Sequence, residues 1–529
     1  MTSRMDFVFR SAGVAIALGA LIHGVGCVFE TPLDCANYPG PDCPPDGASG
    51  GGGMGAGGSG AGATGGGGAG GAGGGGGNCD PEAGAVDSFC GVFVSSTLGD
   101  DDNGAGTKDK PWRSLTKAVS AAETGTETLR VYACAEAFTE AVSLSKGLTL
   151  YGGLDCAADW AWVGTTTKTS LSGPADTIPL RLGSGASGAR VLDFDVRAAD
   201  AVVAGGSSIA VLVEGASAEL LRCSVTAGNG AAGADGSTPS GVGPNNEGAN
   251  GPSGDKGGDG CTSAQSIAGA LGGQNTCDGV DVSGGSGGNG QKASTGGTGG
   301  DGLPNAATGA GGVGQSAAAP CDPGDSGANG TPGSPGTGAT GPGQLATTGY
   351  VGVSGSDGLT SGAPGQGAGG GGGAKTCADN VNAGPAGGGG GAGGCGGLPG
   401  TGGSAGGASF GVISVNATLV LTGTTVTSAA GGNGGAGADG QLGGFGGQPG
   451  LAGGPGGACA GGQGGAGGAG GPGGGGLGGP SAAIAHVGAV PESAGSTLTP
   501  GLPGAGGLGG NGNVASNGAD GTSGDVVAY

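Results

Sequence analysis

Residues 92–122 read VFVSSTLGDDDNGAGTKDKPWRSLTKAVSAA. A short strand, Val92-Phe93-Val94, runs into an acidic turn, then into Gly106-Thr107 and Pro111-Trp112. The rest of the stretch has the period of a helix. Ser114 is placed to cap it, and Leu115, Ala118, Val119 and Ala122 fall on one apolar face. Further β runs follow at the spacing of a solenoid. Leu129-Arg130-Val131-Tyr132 returns 19 residues later as Leu148-Thr149-Leu150-Tyr151, and RVLDFDV (190–196), IAVLV (209–213) and LLRCSV (220–225) come after it. Gly, Ser or Asp bounds each run, as turns between strands require. In RVLDFDV the period of two sets Leu192, Phe194 and Val196 against Asp193, Asp195 and Arg197, and the apolar set is expected to fill the interior.

The strand, the Asp/Gly turn with Gly-Thr, the Pro-aromatic pair and the amphipathic helix resemble the opening of right-handed parallel β-helix proteins of the pectate-lyase-like superfamily. The match covers about 30 residues and implies an all-β solenoid whose end the helix closes. It implies little about activity, since that fold carries many unrelated sites. The expected body spans 78–226, with its β-helix over about 90–226, a further coil at 406–430, and a terminal coil near 480–487 within 431–529.

An internal repeat supports this. GGSSIAVLV (205–213) matches GGASFGVIS (406–414) and, more weakly, GGPSAAI (478–484). GNGAAGADG (228–236) matches GNGGAGADG (432–440), with GNGNVASNGADG at 510–521. The unit is a β coil followed by a Gly-rich excursion, which marks a repeat architecture. The excursions, at 227–405 and 431–477, hold most of the 151 glycines of this 529-residue chain. Glycine brings no side chain to bury and loses the most backbone freedom on folding, so no conventional enzyme domain fits there. Collagen fails as well: GANGTPGSPG (327–336) keeps the triplet, but Gly338 breaks it. Disorder and closely packed polyproline-II strands remain as alternatives. The composition resembles Gly-rich PGRS-type bacterial surface proteins.

The address lies at the N-terminus. Arg4 and Arg10 precede an apolar stretch, 11–22, that ends at Gly24-Val25-Gly26-Cys27. This resembles a bacterial lipoprotein signal peptide (1–26), which implies a lipidated Cys27 opening the segment 27–45, membrane attachment through that lipid, and an outer-membrane or cell-surface location. An ordinary secretory signal with Cys27 in a disulfide is the alternative. Residues 46–77, nearly all Gly, Ala and Ser, make a flexible tether.

Export places the fourteen cysteines in an oxidising compartment. Close spacing pairs Cys35 with Cys43, Cys79 with Cys90, Cys134 with Cys156, Cys261 with Cys277, and Cys377 with Cys395, leaving Cys223, Cys321 and Cys459 unassigned. No Cys-x-x-Cys occurs, so neither a zinc site nor a thioredoxin-like centre is indicated. Net charge is −23, and past residue 223 the cations are Lys256, Lys292 and Lys375 against fifteen carboxylates. Nucleic acid binding, which needs a cationic surface, is ruled out on that balance.

Three constellations could carry chemistry. Asp193 and Asp195 on one face are a candidate acid/base pair for polysaccharide cleavage, or a solvated face with Arg197 as ion partner. The turn holding Asp100 and Asp102 could offer oxygens to Ca²⁺. GGTGGDGLP (296–304), with Asp301, fits a calcium-binding nonapeptide, but such sites need tandem copies that stack. His486, the one histidine past the leader, lies far from any nucleophile elbow. The reading expected from sequence is a non-enzymatic, lipid-anchored envelope protein with a structural, adhesive or matrix-contact role, meeting extracellular polysaccharide or a neighbouring cell surface. The alternatives are a carbohydrate-active lyase or hydrolase and a Ca²⁺-ordered Gly-rich module.

Overall fold

The computed structural model describes residues 78–125, 129–241, 243 and 247–529. Cys27, Cys35 and Cys43, with the leader and the tether, lie outside the described residues. The chain is all-β, with one α-helix among the described residues, Leu115–Thr124.

Three parallel sheets carry the architecture. The first contains Val92–Val94, Arg130–Cys134, Thr149–Asp155, Ala189–Leu192, Ser217–Leu221 and Thr418–Thr422, in that spatial order. The second contains Ala137–Thr139, Thr169–Ser172, Phe194–Arg197, Ser224–Thr226, Thr425–Thr427 and Thr497–Thr499. The third contains Val142–Leu144, Leu180–Leu182, Ser208–Glu214, Ser409–Val415, Ser481–Val487 and Ser523–Ala528. Chain order takes the three sheets in rotation, first, second, third, each circuit stacking one strand on the last. In the final circuit Glu492, bridged to Val420, stands in for a strand of the first sheet.

Inward side chains from all three sheets, among them Val131, Leu150, Val191, Phe194, Val211, Val225, Leu419, Val426 and Ile484, form one apolar core. The helix covers one end of it. Ser114 caps the helix by accepting from the Lys117 N–H at 3.2 Å, and Leu115, Ala118, Val119 and Ala122 are buried.

The expected single strand RVLDFDV is in fact broken. Asp193 has φ +58°, so the chain turns there from the first sheet to the second. That shifts the phase: Val191, Phe194 and Val196 face the core, and Leu192 does not. LLRCSV breaks likewise at Arg222 (φ +53°), and Gly423 (φ +55°) takes the same corner one circuit later. A left-handed residue reverses the alternation of sides, which a strict period of two does not anticipate.

The excursions leave the stack at one place, between the second sheet and the third. They span the gaps from Thr226 to Ser409, from Thr427 to Ser481 and from Thr499 to Ser523. Their described residues form a regular array whose hydrogen bonds recur every third residue. Gly233, Gly236, Gly251, Gly254 and Gly257 N–H groups, for instance, donate to Asn433, Ala436, Phe445, Gln448 and Leu451 carbonyls at 2.8–3.0 Å. Three residues is one turn of a polyproline-II helix.

At the centre of this array, residues 387–397 donate to three segments, 282–288, 459–468 and 249–255. They accept from three others, 270–273, 362–371 and 444–450. Residues 367–373 have six neighbours in the same way. A segment surrounded on six sides has little room for side chains, and both are glycine apart from Ala368, Ala392 and Cys395. Where a segment meets solvent, polar side chains close the exposed N–H groups. Asn229 accepts from Ala430 N–H (3.1 Å), Asp235 from Ala436 (2.7 Å), Asn433 from Ala505 (2.9 Å) and Asn329 from Ala466 (2.9 Å).

The sequence repeat measures the stacking. Ser208 and Ile209 pair with Ser409 and Phe410, and these with Ser481 and Ala482. The two GNG strings, however, lie three residues out of register, with Asn229 beside Ala430 rather than Asn433. The second excursion has gained Ser428, Ala429 and Ala430 before its string. A whole turn of three residues leaves every face where it was.

Candidate functional site

Asp193 sits at the first-to-second corner and is 2% exposed. Its carboxylate accepts from Arg222 Nε (2.9 Å), Arg222 Nη2 (2.7 Å) and Trp162 Nε1 (2.9 Å). Arg222 reaches onward to Glu82 at 2.7 Å and lies 5.2 Å from the Trp162 ring centre. Three donors, two of them from the bidentate guanidinium, occupy most of the acceptor sites of this buried carboxylate. Asp195, on the strand beyond the corner, pairs with Arg197 at 2.8 Å. The left-handed turn at Asp193 therefore gives the two carboxylates different surroundings and different partners. Sequence reasoning missed Arg222, Glu82 and Trp162, since nothing in local spacing joins residues 29 to 140 positions apart.

Removing the guanidinium is expected to expose what this network holds. Arg222→Ala leaves Asp193 buried without its charge partner, a loss of about 3 kcal/mol. Chemical denaturation should show it, and Arg222→Lys should recover only part, because an ammonium cannot form the fork.

The acidic turn is held by its own backbone. Asp100 accepts from Asp102 N–H (2.8 Å) and from Asn103 through both N–H (3.1 Å) and side-chain amide (3.1 Å), and the Asn103 amide is the main cause holding its carboxyl below the usual range. Asp102 is exposed. Asp301 accepts from Gly311 N–H at 2.9 Å, and the glycines around it donate to neighbouring segments. Among the described residues, no three His, Cys, Asp or Glu side chains converge as a metal site would require.

Among the described residues, Glu136 is the carboxylate with the most hydroxyl partners. It accepts from Ser95 (3.1 Å), Ser96 (3.0 Å), the Thr97 hydroxyl and the Thr97 N–H (3.2 Å). Burial pushes its pKa up, but the hydrogen bonds of Thr97, Ser96 and Ser95 outweigh that, and it lies below its ordinary value. A depressed carboxyl contributes stability above its unfolded pKa and loses it as pH falls through the folded one. Acid titration below about pH 4 is thus expected to loosen the 95–97 loop, read by hydrogen exchange, and Glu136→Gln should flatten that dependence.

The disulfides revise the pairing by close spacing. Cys79 joins Cys90 and Cys134 joins Cys156, with Cα separations of 5.3 and 5.6 Å. The second staples consecutive circuits: the register shifts between Tyr132 and Cys134, and Gly153 at φ +67° takes up the extra length. Cys261, however, joins Cys377 and Cys277 joins Cys395, not their near neighbours, and Cys321 joins Cys459. In the Gly-rich array, segments that touch are far apart in sequence, so proximity along the chain misleads. Cys223 is buried and free, and burial pushes its thiol up to about 12.

On the outer face of the first sheet, Phe93, Tyr132 and Tyr151 stack at 5.0 and 5.1 Å. Arg130, Tyr151 and Arg190 line an open cleft of about 590 Å³ together with Asp80 and Glu82. Arg190 is already paired with Glu219 at 2.7 Å.

Comparison with known protein families, curated proteins and solved structures finds no match to this chain.

Proposed function

We propose that the three sheets are the faces of a right-handed parallel β-helix of pectate-lyase-like type, and that the excursions form a polyproline-II bundle growing from one corner. On this reading the protein is a non-enzymatic, lipid-anchored component of the bacterial envelope, held by Cys27, with a structural, adhesive or matrix-contact role. The observation that carries it is the employment of the polar side chains. Asp193 is locked into Arg222, Glu136 into a hydroxyl cluster, and the Asn and Asp residues of the excursions into backbone N–H groups. Groups so engaged are architectural, and a catalytic acid and base need free positions beside a substrate.

Two measurements test this. Cys27→Ser is expected to move the full-length protein from the membrane fraction to the soluble one, and unchanged detergent partitioning rejects the anchor. Incubation with pectins, alginates and glycosaminoglycans is expected to give no turnover. Cleavage abolished by Asp193→Ala would establish a carbohydrate-active enzyme instead.

A further inference from the structure

The outer face of the second sheet is tiled with hydroxyls. Ser224, Thr425 and Thr497 stand side by side on three adjacent strands, and Thr226, Thr427 and Thr499 form a second rank beside them. The residues between the ranks, Val225, Val426 and Leu498, pack on the core, so both ranks face outward. Ser170 and Ser172 extend the same ranks beyond the Asp195–Arg197 pair, which interrupts them. All six strands of this sheet pair without a register shift. Among the described residues, none of these hydroxyls has a hydrogen-bond partner.

The result is a two-dimensional grid: about 4.8 Å from strand to strand and about 6.6 Å between ranks, two residues at about 3.3 Å each. Each grid point on the threonine strands carries a hydroxyl that both donates and accepts, next to a methyl that orders water around it. Common macromolecules fit this face poorly. No aromatic platform is present for a sugar ring, the one cation, Arg197, is neutralised by Asp195, and no large side chain is available for a protein interface.

We propose that this face binds ice. A crystal face of ice presents hydrogen-bond donors and acceptors on a fixed lattice, one of whose repeats is close to the strand spacing. Water already ordered on the grid joins that lattice with little further loss of freedom, because its immobilisation has largely been met. Many weak contacts at matched spacing then act together. The site is independent of the anchoring and non-enzymatic roles proposed above.

The test uses the purified full-length chain, ice-affinity partitioning and a recrystallisation assay. The wild-type protein is expected to enter slowly grown ice and to keep grains small. Thr427→Lys and Thr425→Lys, which place charge on the grid without touching the core, should lower incorporation at least tenfold while circular dichroism stays unchanged. The double substitution D195T/R197T joins the interrupted ranks and should raise activity. Rejection of the wild-type protein from ice, unchanged behaviour of the lysine variants, or no gain from the double variant would each overturn the proposal. So would Thr427-dependent retention on insoluble neutral glycan without ice affinity, which would give the face to a polymer.

Discussion

Gly390→Val is expected to unlock the Gly-rich array while leaving the three sheets intact. A Cβ at Gly390 would stand 2.1 Å from the Ala368 carbonyl oxygen and 2.7 Å from that of Gly369. Both are backbone atoms, so no side chain can swing aside. Relief requires residues 387–397 to separate from 362–371, breaking bonds such as Ala368 N–H to Gly391 O at 2.9 Å and Gly371 N–H to Gly388 O at 2.9 Å. At about 1 kcal/mol net per hydrogen bond, with strain added, the loss is about 5 kcal/mol. Hydrogen exchange should show protection lost across 362–397 and retained in 130–226. Gln448→Ala, an outward change on a neighbouring segment, should leave both regions protected. A methyl is not forbidden everywhere, since Ala368 and Ala392 stand buried in these same segments. The forbidden places are those a carbonyl already occupies.

Opening the Cys277–Cys395 bridge should cost nearly as much. It closes a loop of 118 residues. Chain entropy assigns a loop of that size about 5 kcal/mol. The Gly-rich segments depend on it heavily, because glycine gains more freedom than any other residue when released. The double substitution Cys277→Ser/Cys395→Ser is therefore expected to lower the unfolding midpoint of the array and admit protease to its glycine runs. Cys134→Ser/Cys156→Ser, whose loop spans 22 residues, should cost about 3 kcal/mol and be felt in the first circuits instead. Equal proteolysis of wild type and the Cys277/Cys395 variant would show that lattice hydrogen bonds alone suffice.

The parts legible in sequence were those with local causes. Ser114 and its apolar face define the helix, and the 19-residue echo of LRVY in LTLY aligns Arg130 with Thr149 and Tyr132 with Tyr151. The repeat at 205 and 406 marks strands that pair. What was hidden has distant causes. Asp193 and Arg222 turn corners in a conformation that side chains seldom adopt, so alternation across them reads falsely. The ion network joins Glu82, Asp193 and Arg222 across separate circuits. The excursions have no hydrophobic period at all; their order rests on backbone bonds between segments, for which a run of glycines gives no partner list. Hence Cys261 and Cys277 look like neighbours and are not.

The stacking order also sets a timetable. The strands through Thr226 complete their circuits from chain already made, and each new strand finds its partner within a few tens of residues. Ser208–Glu214 must then wait for Ser409–Val415, about two hundred residues later, and Gly251 and Gly254 wait for Phe445 and Gln448. Contacts at such separation form slowly, and chain that waits for them is open to misassembly and proteolysis. A protein laid down in this sequence matures in two stages, an early column and a late bundle. Its vulnerable interval is the passage between them, when a long ribbon of glycine has left one sheet and has no neighbours yet.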